Sequence, residues 1–278
     1  MRAFVLSVLT LALVTSIPIE AQLHAAKEGP ISIGHHHFNV TDVESHKKFW
    51  VDQLGAEVGK LGPAEVIKLP NLIVMLRQRD PSGSNRPSSV NHIGLQVRDV
   101  PALVKKLKAA GYPIVTQEQI PSSPGDVNPL PDQNSNVAFV LAPDEMNIEL
   151  FENKKLDVPI ANHHIHFYTS DIDATKAWYV KHLGAAPGMR GSFQAADLPG
   201  VNLTFSASQG EALPTQGRVL DHIGFEVDGL EALCKKLEAA GLELAVPYRK
   251  IDALGLGIAF LTDPWGTYIE LTEGLDAI

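Results

Sequence analysis

The sequence contains a single cysteine among 278 residues, so the chain cannot form an internal disulfide. This residue, Cys234, falls on the apolar face of an expected helix, which favours a buried, unreactive thiol over a nucleophile. Positive charge is also scarce, because 23 Lys and Arg stand against 32 Asp and Glu and give a net charge of -9. Without a basic stripe to neutralise phosphates, nucleic acid is not an expected partner. Beyond the N-terminal region, no apolar run is long enough to span a bilayer.

Residues 1–21 have the pattern of a secretory signal peptide. Arg2 supplies the positive charge, residues 3–14 form a short apolar run, and Ala21 offers a small-residue cleavage position. A retained membrane anchor is the alternative interpretation. We therefore expect a periplasmic or secreted protein that has no membrane contact after cleavage of the signal.

The rest of the chain repeats a pair of segments. The segment that begins at His37-Phe38 recurs at His166-Phe167, and the segment that begins at His92-Ile93-Gly94 recurs at His222-Ile223-Gly224. The first kind of segment (A, beginning at His37 and His166) resembles the second kind (B, beginning at His92 and His222) only in its general pattern. The order along the chain is therefore A-B-A-B. This order indicates that a unit of two modules has been duplicated.

The periodicity within each module predicts a strand, a helix and then about three strands. Apolar residues alternate at 92–97 and 222–227, whereas 100–110 and 230–240 have helical spacing and end at Gly111 and Gly241. Further strands are expected at 137–141, 147–151, 257–261 and 268–272. The fold class is therefore α+β, with four βαβββ modules. Since the apolar strand faces must cover the helices, the polar faces should line a concave side.

Two histidines and one glutamate occur in each half, in strand-like segments related by offsets of about 120 to 130 residues. A lone histidine in such a setting is usually a surface or hydrogen-bonded residue, but strand alternation directs all six side chains to the concave side. The duplicated set predicts a divalent metal with open coordination positions. Fe(II), Mn(II), Zn(II) and Ni(II) all accept such ligands, and up to two ions per chain are expected. The predicted ligands are His35, His92, Glu149, His164, His222 and Glu270.

Other polar residues on the same strand faces are candidates for proton transfer and substrate binding. The acid/base candidates are Glu226, His37 and His166, and the two histidines could instead orient ligands or replace them. The substrate-binding candidates are Asn39, Tyr168 and Tyr268. The remaining histidines receive no role: two lie on the opposite strand face, and three lie in a tail or on helices, where solvated positions are expected. These are His36 and His163, then His24, His46 and His182.

These modules resemble the vicinal oxygen chelate superfamily, which includes glyoxalase I, type I extradiol dioxygenases, fosfomycin-resistance enzymes and bleomycin-resistance proteins. The resemblance rests on the His-Ile-Gly strands, the Leu-Gly segments and the run from Asp263 to Leu271, and it covers about residues 33–274. It implies that modules pair into two half-barrels, each around a metal, with the ligand positions at His35, His92 and Glu149 in the first half and at His164, His222 and Glu270 in the second.

The pairing of modules has two possible forms. The linker at 153–162, which contains Pro159, looks like a boundary between finished units. We therefore expect adjacent pairing, with one domain at 31–153 (modules 1 and 2) and a second at 160–274 (modules 3 and 4). The alternative is an exchange of partners in which His35 meets His222 and Glu270.

The reaction is less well defined than the family. A metal held by three protein ligands could chelate two neighbouring oxygens of a substrate and stabilise an enolate or alkoxide. The leading hypothesis is therefore a glyoxalase-like lyase or isomerase acting on a small oxygenated metabolite. An extradiol-type ring-cleaving dioxygenase is the alternative, although Phe260 stands where those enzymes carry a tyrosine. A glyoxalase I would need a second glutamate, which residues 72–76 and 201–205 do not offer. A non-catalytic protein that binds or sequesters a small molecule is the third possibility. The oligomeric state stays open.

Overall fold

The computed structural model describes residues 29–275. In this range the chain forms four βαβββ modules in succession, as the periodicity predicts. Module 1 contains β1 (Ile31–Val40), α1 (Val43–Lys47) with a π-helical continuation (Lys48–Gln53), β2 (Glu57–Leu61), β3 (Ala64–Leu69) and β4 (Leu72–Gln78). Module 2 contains β5 (Val90–Val97), α2 (Val100–Ala109), the short α3 (Thr116–Gln119), β6 (Asn128–Leu130), β7 (Ser135–Ala142) and β8 (Met146–Glu152).

The second half repeats this arrangement. Module 3 contains β9 (Ile160–Thr169), α4 (Ile172–Leu183), β10 (Ala186–Arg190), β11 (Phe193–Leu198) and β12 (Val201–Ala207). Module 4 contains β13 (Leu220–Val227), α5 (Leu230–Ala239), β14 (Leu244–Ile251), β15 (Leu256–Thr262) and β16 (Tyr268–Glu273). Three short 3₁₀ turns, at Pro131–Gln133, Pro143–Glu145 and Asp252–Leu254, join strands.

Helices α2 and α4 begin at aspartate caps. The Asp99 carboxylate accepts a hydrogen bond from the Ala102 amide at the start of α2, and Asp171 does the same for Ala174 at the start of α4. Each cap satisfies an amide that has no partner within the helix. Helix α4 ends at Gly184, whose φ of 72° lies in the left-handed region that glycine adopts without a steric penalty. The caps fix where each helix leaves the preceding strand.

The strands form two eight-stranded sheets, and each sheet combines modules that are not the expected neighbours. The first has the order β14-β15-β16-β13-β1-β4-β3-β2, and the second has the order β10-β11-β12-β9-β5-β8-β7-β6. Module 1 therefore pairs with module 4, and module 2 pairs with module 3. The expectation of adjacent pairing is wrong, and the exchanged arrangement is the one that forms. The limits 31–153 and 160–274, as divisions of the sequence, stay a prediction.

The opening strands of the modules explain this pairing. Strand β1 runs antiparallel to β13 and places His37 opposite His222, while β5 runs antiparallel to β9 and places His92 opposite His166. The two junctions are equivalent, so each sheet is a pseudo-symmetric pair of modules with the junction at its centre. The six predicted metal ligands lie at these two junctions.

The opposite, apolar strand faces pack against helices, as the alternation predicts. Ile148 and Leu150 of β8 and Ile269 and Leu271 of β16 are fully buried in this core. One continuous cluster of buried residues includes side chains from both sheets, so the two halves share a single large core. Cys234 lies in it with 2% of its surface exposed, and burial raises the pKa of its thiol to about 11, as expected for an unreactive cysteine. No helix in residues 29–275 is long and apolar enough to cross a membrane.

Candidate metal centres

The first candidate centre, cluster A, joins His35 of β1 with His222 of β13 and Glu270 of β16. The Nε2 atoms of His35 and His222 lie 2.9 and 3.0 Å from the same carboxylate oxygen, Oε2 of Glu270. Neighbouring ligands of a metal at about 2.1 Å are separated by about 3 Å, so these spacings fit a shared ion. All three side chains are buried or nearly so. These are the three residues that the alternative pairing of modules, with partners exchanged, was expected to bring together.

The electrostatics of cluster A favour an ionised carboxylate. Burial by itself would raise the pKa of Glu270, but the charge and hydrogen bond of His35 and those of His222 lower it well below its ordinary value. Burial likewise opposes protonation of His222, yet hydrogen bonds to Asp221 and Glu270 raise its pKa. A buried, ionised carboxylate flanked by two imidazole nitrogens is a strong attractor for a divalent cation.

A second layer of polar contacts holds His222 in place. Its Nδ1 donates to Oδ1 of Asp221 at 2.7 Å, which directs Nε2 toward Glu270. Asp221 in turn accepts hydrogen bonds from the Asn39 side chain at 2.8 Å and from the Gly217 amide at 2.7 Å. Although burial opposes it, these contacts lower the pKa of Asp221 to about 2. A carboxylate behind a ligating histidine fixes its tautomer and raises its basicity.

Two glycines leave room for the ligand rings. A Cβ built on Gly224 would stand 2.1 Å from Cε1 of His35, and one built on Gly94 would stand 1.9 Å from Cε1 of His164. Both distances are far below ordinary van der Waals contact. The glycine of each His-Ile-Gly strand is therefore needed because the ring of the partner module's histidine lies directly over its backbone.

Cluster A lies beside a cavity of about 580 Å³. Its polar lining includes His37, Asp221, His222, Tyr268 and Glu270. Its apolar lining comes from β2, β4, β14, β15 and the segments next to them, and includes Leu61, Met75, Ile251, Leu254, Leu256 and Phe260. A cavity of this size accommodates a small organic molecule that has both polar and apolar groups.

The second candidate centre, cluster B, joins His92 of β5, Glu149 of β8, and His164 and His166 of β9. Oε2 of Glu149 lies 3.1 Å from Nε2 of His92 and 3.3 Å from Nε2 of His164. All four side chains are buried. Burial lowers the pKa of His164 to about 3, so this imidazole is neutral at neutral pH.

Two contacts distinguish cluster B from cluster A. A guanidinium nitrogen of Arg190 donates to Oε1 of Glu149 at 2.9 Å, and the guanidinium carbon lies 5.9 Å from the Phe151 ring centroid. Behind the histidine, Nδ1 of His92 is 2.8 Å from the Asn91 side-chain oxygen, where cluster A has an aspartate. Arg190 and Asn91 were not identified from the sequence, although the repeat itself pairs Asn91 with Asp221.

The structure brings the six predicted metal ligands together in two groups, but across the module pairs that were not expected. His166, predicted as an acid/base group or replacement ligand, lies within cluster B, and its Nε2 is 2.8 Å from the Ser206 hydroxyl. His37 lines the cavity beside cluster A, with its ring centroid 4.6 Å from that of His222. The roles assigned to these residues from the sequence stay predictions.

Glu226 occupies a different environment from the other acid/base candidates. Its carboxylate accepts hydrogen bonds from the Gly274 amide at 2.5 Å, the Leu275 amide at 3.0 Å and the Thr272 hydroxyl at 2.7 Å. These contacts attach the end of the described chain to β13. Within residues 29–275, the residues that line the cavity do not include Glu226.

The three substrate-binding candidates also lie in different places in the structure. Tyr268 lines the cavity and stacks on Phe260 at 5.1 Å between centroids. Burial raises the pKa of Tyr268, so its phenol stays protonated and can donate a hydrogen bond. Tyr168 lies near cluster B, 5.4 Å from the His166 ring, while Asn39 supports Asp221 and is itself buried.

Two of the histidines without a predicted role make specific contacts. His46 was expected to be solvated, but it is fully buried and its Nε2 donates to Asp144 of module 2 at 3.1 Å. His163, expected to face away from the site, lies with its Nδ1 3.0 Å from Nδ1 of His164. His182 is half-buried beside Trp178. His36 is fully buried, and His24 and the predicted signal peptide lie outside the described residues.

Each sheet thus joins two βαβββ modules and places at their junction a buried His/Glu cluster that could hold a metal ion. The model of the Glyoxalase/Bleomycin resistance protein/Dioxygenase superfamily matches residues 32–120 and 161–271. The chain belongs to this superfamily, which confirms the resemblance seen in the sequence. Its members bind divalent metals and act on small molecules.

Solved structures support the same fold. Glyoxalase I from Zea mays is 16% identical, with a TM-score of 0.68 over 90% of this chain and 95% of that one. A protein from Bacillus subtilis described as a candidate dioxygenase is 13% identical, with a TM-score of 0.61 over 87% of this chain and 84% of that one. At this level of identity the likeness concerns the fold alone. Among curated proteins, none matches the sequence.

Proposed function

We propose that this protein is a metal-dependent lyase or isomerase of the glyoxalase type, and that cluster A with its cavity is the active site. The observation that carries the proposal is the convergence of His35, His222 and Glu270 on one point at the edge of a 580 Å³ cavity. Three protein ligands leave coordination positions free on the cavity side, which is the arrangement of catalytic rather than closed structural sites.

The donor set fits a divalent metal. Two imidazole nitrogens and a carboxylate oxygen within 4.8 Å of one another suit Fe(II), Mn(II), Zn(II) or Ni(II) equally. When bound, such an ion would polarise the neighbouring oxygens of a substrate and stabilise negative charge that develops on them. His35, His222 and Glu270 would hold it, and Asp221 would keep His222 correctly oriented.

His37 is the residue best placed to move a proton. It lines the cavity and its Nε2 is buried without a hydrogen-bond partner within residues 29–275. Burial lowers the pKa of His37 to about 3, which keeps the imidazole neutral at neutral pH but also makes it a weak base. Proton transfer to it from carbon would therefore rely on the acidity that a bound ion gives the carbon next to the polarised oxygen. Returning that proton to the neighbouring carbon would complete an isomerisation.

Tyr268 is placed to orient the substrate. Its protonated phenol can donate to a substrate oxygen, and its stacking on Phe260 restricts the ring. The apolar side chains around the cavity would exclude water from the reacting carbon.

Two other functions remain as alternatives. A ring-cleaving dioxygenase could use the same metal ligands, and the likeness in fold to the Bacillus subtilis protein favours keeping it, although Phe260 offers no acidic hydrogen. A binding protein would need the cavity but no proton acceptor. The three functions differ in whether solvent hydrogen enters the product and in whether oxygen is consumed.

The test uses the full chain loaded separately with Mn(II), Zn(II), Ni(II) and, without oxygen, Fe(II). Each form is incubated in D₂O with 2-oxoaldehydes, with and without thiols, and with α-hydroxycarbonyl compounds, and deuterium on product carbon is followed by NMR. Catechols are examined in parallel with an oxygen electrode. Deuterium incorporation without oxygen uptake supports the proposal. Oxygen uptake with a catechol identifies a dioxygenase, and tight binding without turnover identifies a binding protein.

Variants link the activity to the site. His222→Ala and Glu270→Ala should each abolish turnover and lower metal content, whereas His182→Ala, in the last turn of α4 and outside both clusters, should change neither. If His222→Ala and Glu270→Ala retained both metal and turnover, cluster A would not be the active site.

We also propose that the protein is exported, on the basis of the charged, apolar and small-residue pattern of residues 1–21. Expression of the full chain in a bacterial host followed by N-terminal sequencing of the soluble product tests this. A new N-terminus just after Ala21 or near residues 25–26, with the product in the periplasmic fraction, is expected. An intact N-terminus on cytoplasmic protein would contradict it.

A further inference from the structure

The two clusters occupy equivalent places in the fold but differ in the charges around them. The repeat relates His37 to His166 by 129 residues, and the same offset relates Leu61 to Arg190. Strands β2 and β10, which carry Leu61 and Arg190 at their ends, are equivalent elements of modules 1 and 3. Leu61 lines the cavity beside cluster A, so a leucine there takes the position that Arg190 has at cluster B. Arg77 and Arg79 also line that cavity, but neither forms an ion pair with Glu270 or Asp221 within residues 29–275.

Arg190 is held firmly against the carboxylate of cluster B. Only 18% of its side chain and 9% of that of Glu149 are exposed to solvent. The short hydrogen bond to Glu149 and the position of the guanidinium near the Phe151 ring both favour this one conformation. A permanent cation therefore neutralises the only carboxylate among the four donors of cluster B.

The residue that contacts Nδ1 of the ligand histidine also makes cluster A more negative than cluster B. Asp221 supports His222 in cluster A, whereas the equivalent residue behind His92 in cluster B is the uncharged Asn91. Cluster A thus combines two carboxylates, Glu270 and Asp221, and faces no cationic side chain among its hydrogen-bond partners in residues 29–275. Cluster B combines one carboxylate with one guanidinium. A divalent ion would balance the charge at A and would leave two uncompensated positive charges at B.

We propose that the two clusters have diverged after duplication, so that cluster A binds the divalent ion tightly and Arg190 and Asn91 make cluster B a weak metal site. At cluster B the guanidinium of Arg190 already neutralises the charge of the buried Glu149 that a bound ion would otherwise neutralise. Loss of one outer partner typically weakens a metal site by about 10-fold to 100-fold. With both an uncharged Asn91 and a cationic Arg190, we expect cluster B to bind about 100-fold or more weakly than cluster A. This inference rests on the proposed metal dependence.

The experiment measures metal stoichiometry, which does not depend on knowing the substrate. The full chain is stripped with a chelator and dialysed against a series of free Mn(II) concentrations and, separately, Zn(II), and bound metal per chain is measured by elemental analysis. One equivalent should bind first, and a second only at about 100-fold higher free metal. His222→Gln should remove the tight equivalent, and His92→Gln should leave it in place.

A second set of variants replaces residues of one cluster with their equivalents from the other. The double variant Arg190→Leu, Asn91→Asp gives cluster B the residues of cluster A, and its two equivalents should bind within about tenfold of each other. The matched change at cluster A, Asp221→Asn, should weaken the tight site by about 10-fold to 100-fold. Arg190→Leu alone is included in case the double variant does not fold, and it should strengthen the second site in the same direction.

The outcomes separate this inference from the proposed function. Two equivalents of equal affinity in the unaltered protein would overturn the inference and leave the proposed function intact. A double variant that folds but still binds a single equivalent would overturn the role given to Arg190 and Asn91. If no ion bound at any concentration, the proposed metal-dependent function would fail together with the inference.

Discussion

Replacing Gly224 with alanine should disable cluster A while leaving the fold in place. The new methyl group would stand 2.1, 2.2 and 2.5 Å from Cε1, Nδ1 and Nε2 of His35. Ordinary contact begins at about 3.4 Å, so the ring would have to move by about 1.3 Å. The ring is fully buried and has no space to relax without leaving Glu270. Metal ligands tolerate only about 0.2 Å of misplacement, so His35 should be lost as a ligand.

The size of the effect follows from two terms. Overpacking of this kind costs typically about 1 to 3 kcal/mol of unfolding free energy, partly offset by about 0.5 to 1 kcal/mol from the lower flexibility of alanine in the unfolded chain. We therefore expect a loss of about 0 to 2.5 kcal/mol, small beside the stability of a folded domain. Metal affinity at the tight site should fall by more than about 100-fold, because a ligand is lost rather than an outer partner.

The matched variant is Gly94→Ala. Its methyl group would stand 1.9 Å from Cε1 of His164, so the steric conflict in cluster B is at least as severe. The two variants should therefore lose comparable stability in urea unfolding. In metal binding they should differ, since Gly94→Ala should retain the first equivalent and Gly224→Ala should lose it. Equal retention of tight metal in both folded variants would refute the reasoning from ring packing.

Three further predictions concern buried charge. Burial lowers the pKa of His46 in the folded protein, so the stability that neutral His46 contributes is present above its unfolded pKa of about 6.5 and is lost as the pH falls below that value. His46→Gln should therefore reduce the slope of unfolding free energy against pH just below about pH 6.5. Glu226→Gln should cost about 1.5 to 3 kcal/mol in urea unfolding with turnover unchanged, whereas loss of turnover in folded protein would assign Glu226 to catalysis. Tyr179→Phe removes the 2.8 Å hydrogen bond to buried Asp263 and should cost about 1 to 3 kcal/mol, measured in the same way; an unchanged midpoint would contradict this.

Much of the fold could be predicted because the repeat and the periodicity carry local information. The predicted helices at 100–110 and 230–240 agree with α2 and α5, and the predicted strands agree with β7, β8, β15 and β16. Strand alternation also placed the six ligand candidates on concave faces. The buried state of His46 could not be predicted, because its partner Asp144 lies in another module and a helix position alone does not indicate such a contact.

The pairing of modules could not be predicted for a related reason. Each His-Ile-Gly strand needs a neighbour that lays a histidine ring over its glycine, and both His35 and His164 are able to do so. The two opening strands are chemically interchangeable in this respect, so the alternation pattern is satisfied by adjacent pairing and by exchange alike. A proline-containing linker separates units in sequence, but it does not determine which strand edges meet.

The assignment of the tight metal site follows from this exchange. Arg190 belongs to module 3 and Glu149 to module 2, so their contact exists only because modules 2 and 3 share a sheet. With adjacent pairing, the guanidinium of module 3 would have lain in the same half-barrel as Asp221 and Glu270 of module 4. Each cluster would then have carried one net negative charge, and the charge argument would not have distinguished them. The differences between Leu61 and Arg190 and between Asp221 and Asn91 can be read in the sequence repeat. Their consequence for metal binding depends on the strand pairing, which the sequence pattern leaves undetermined.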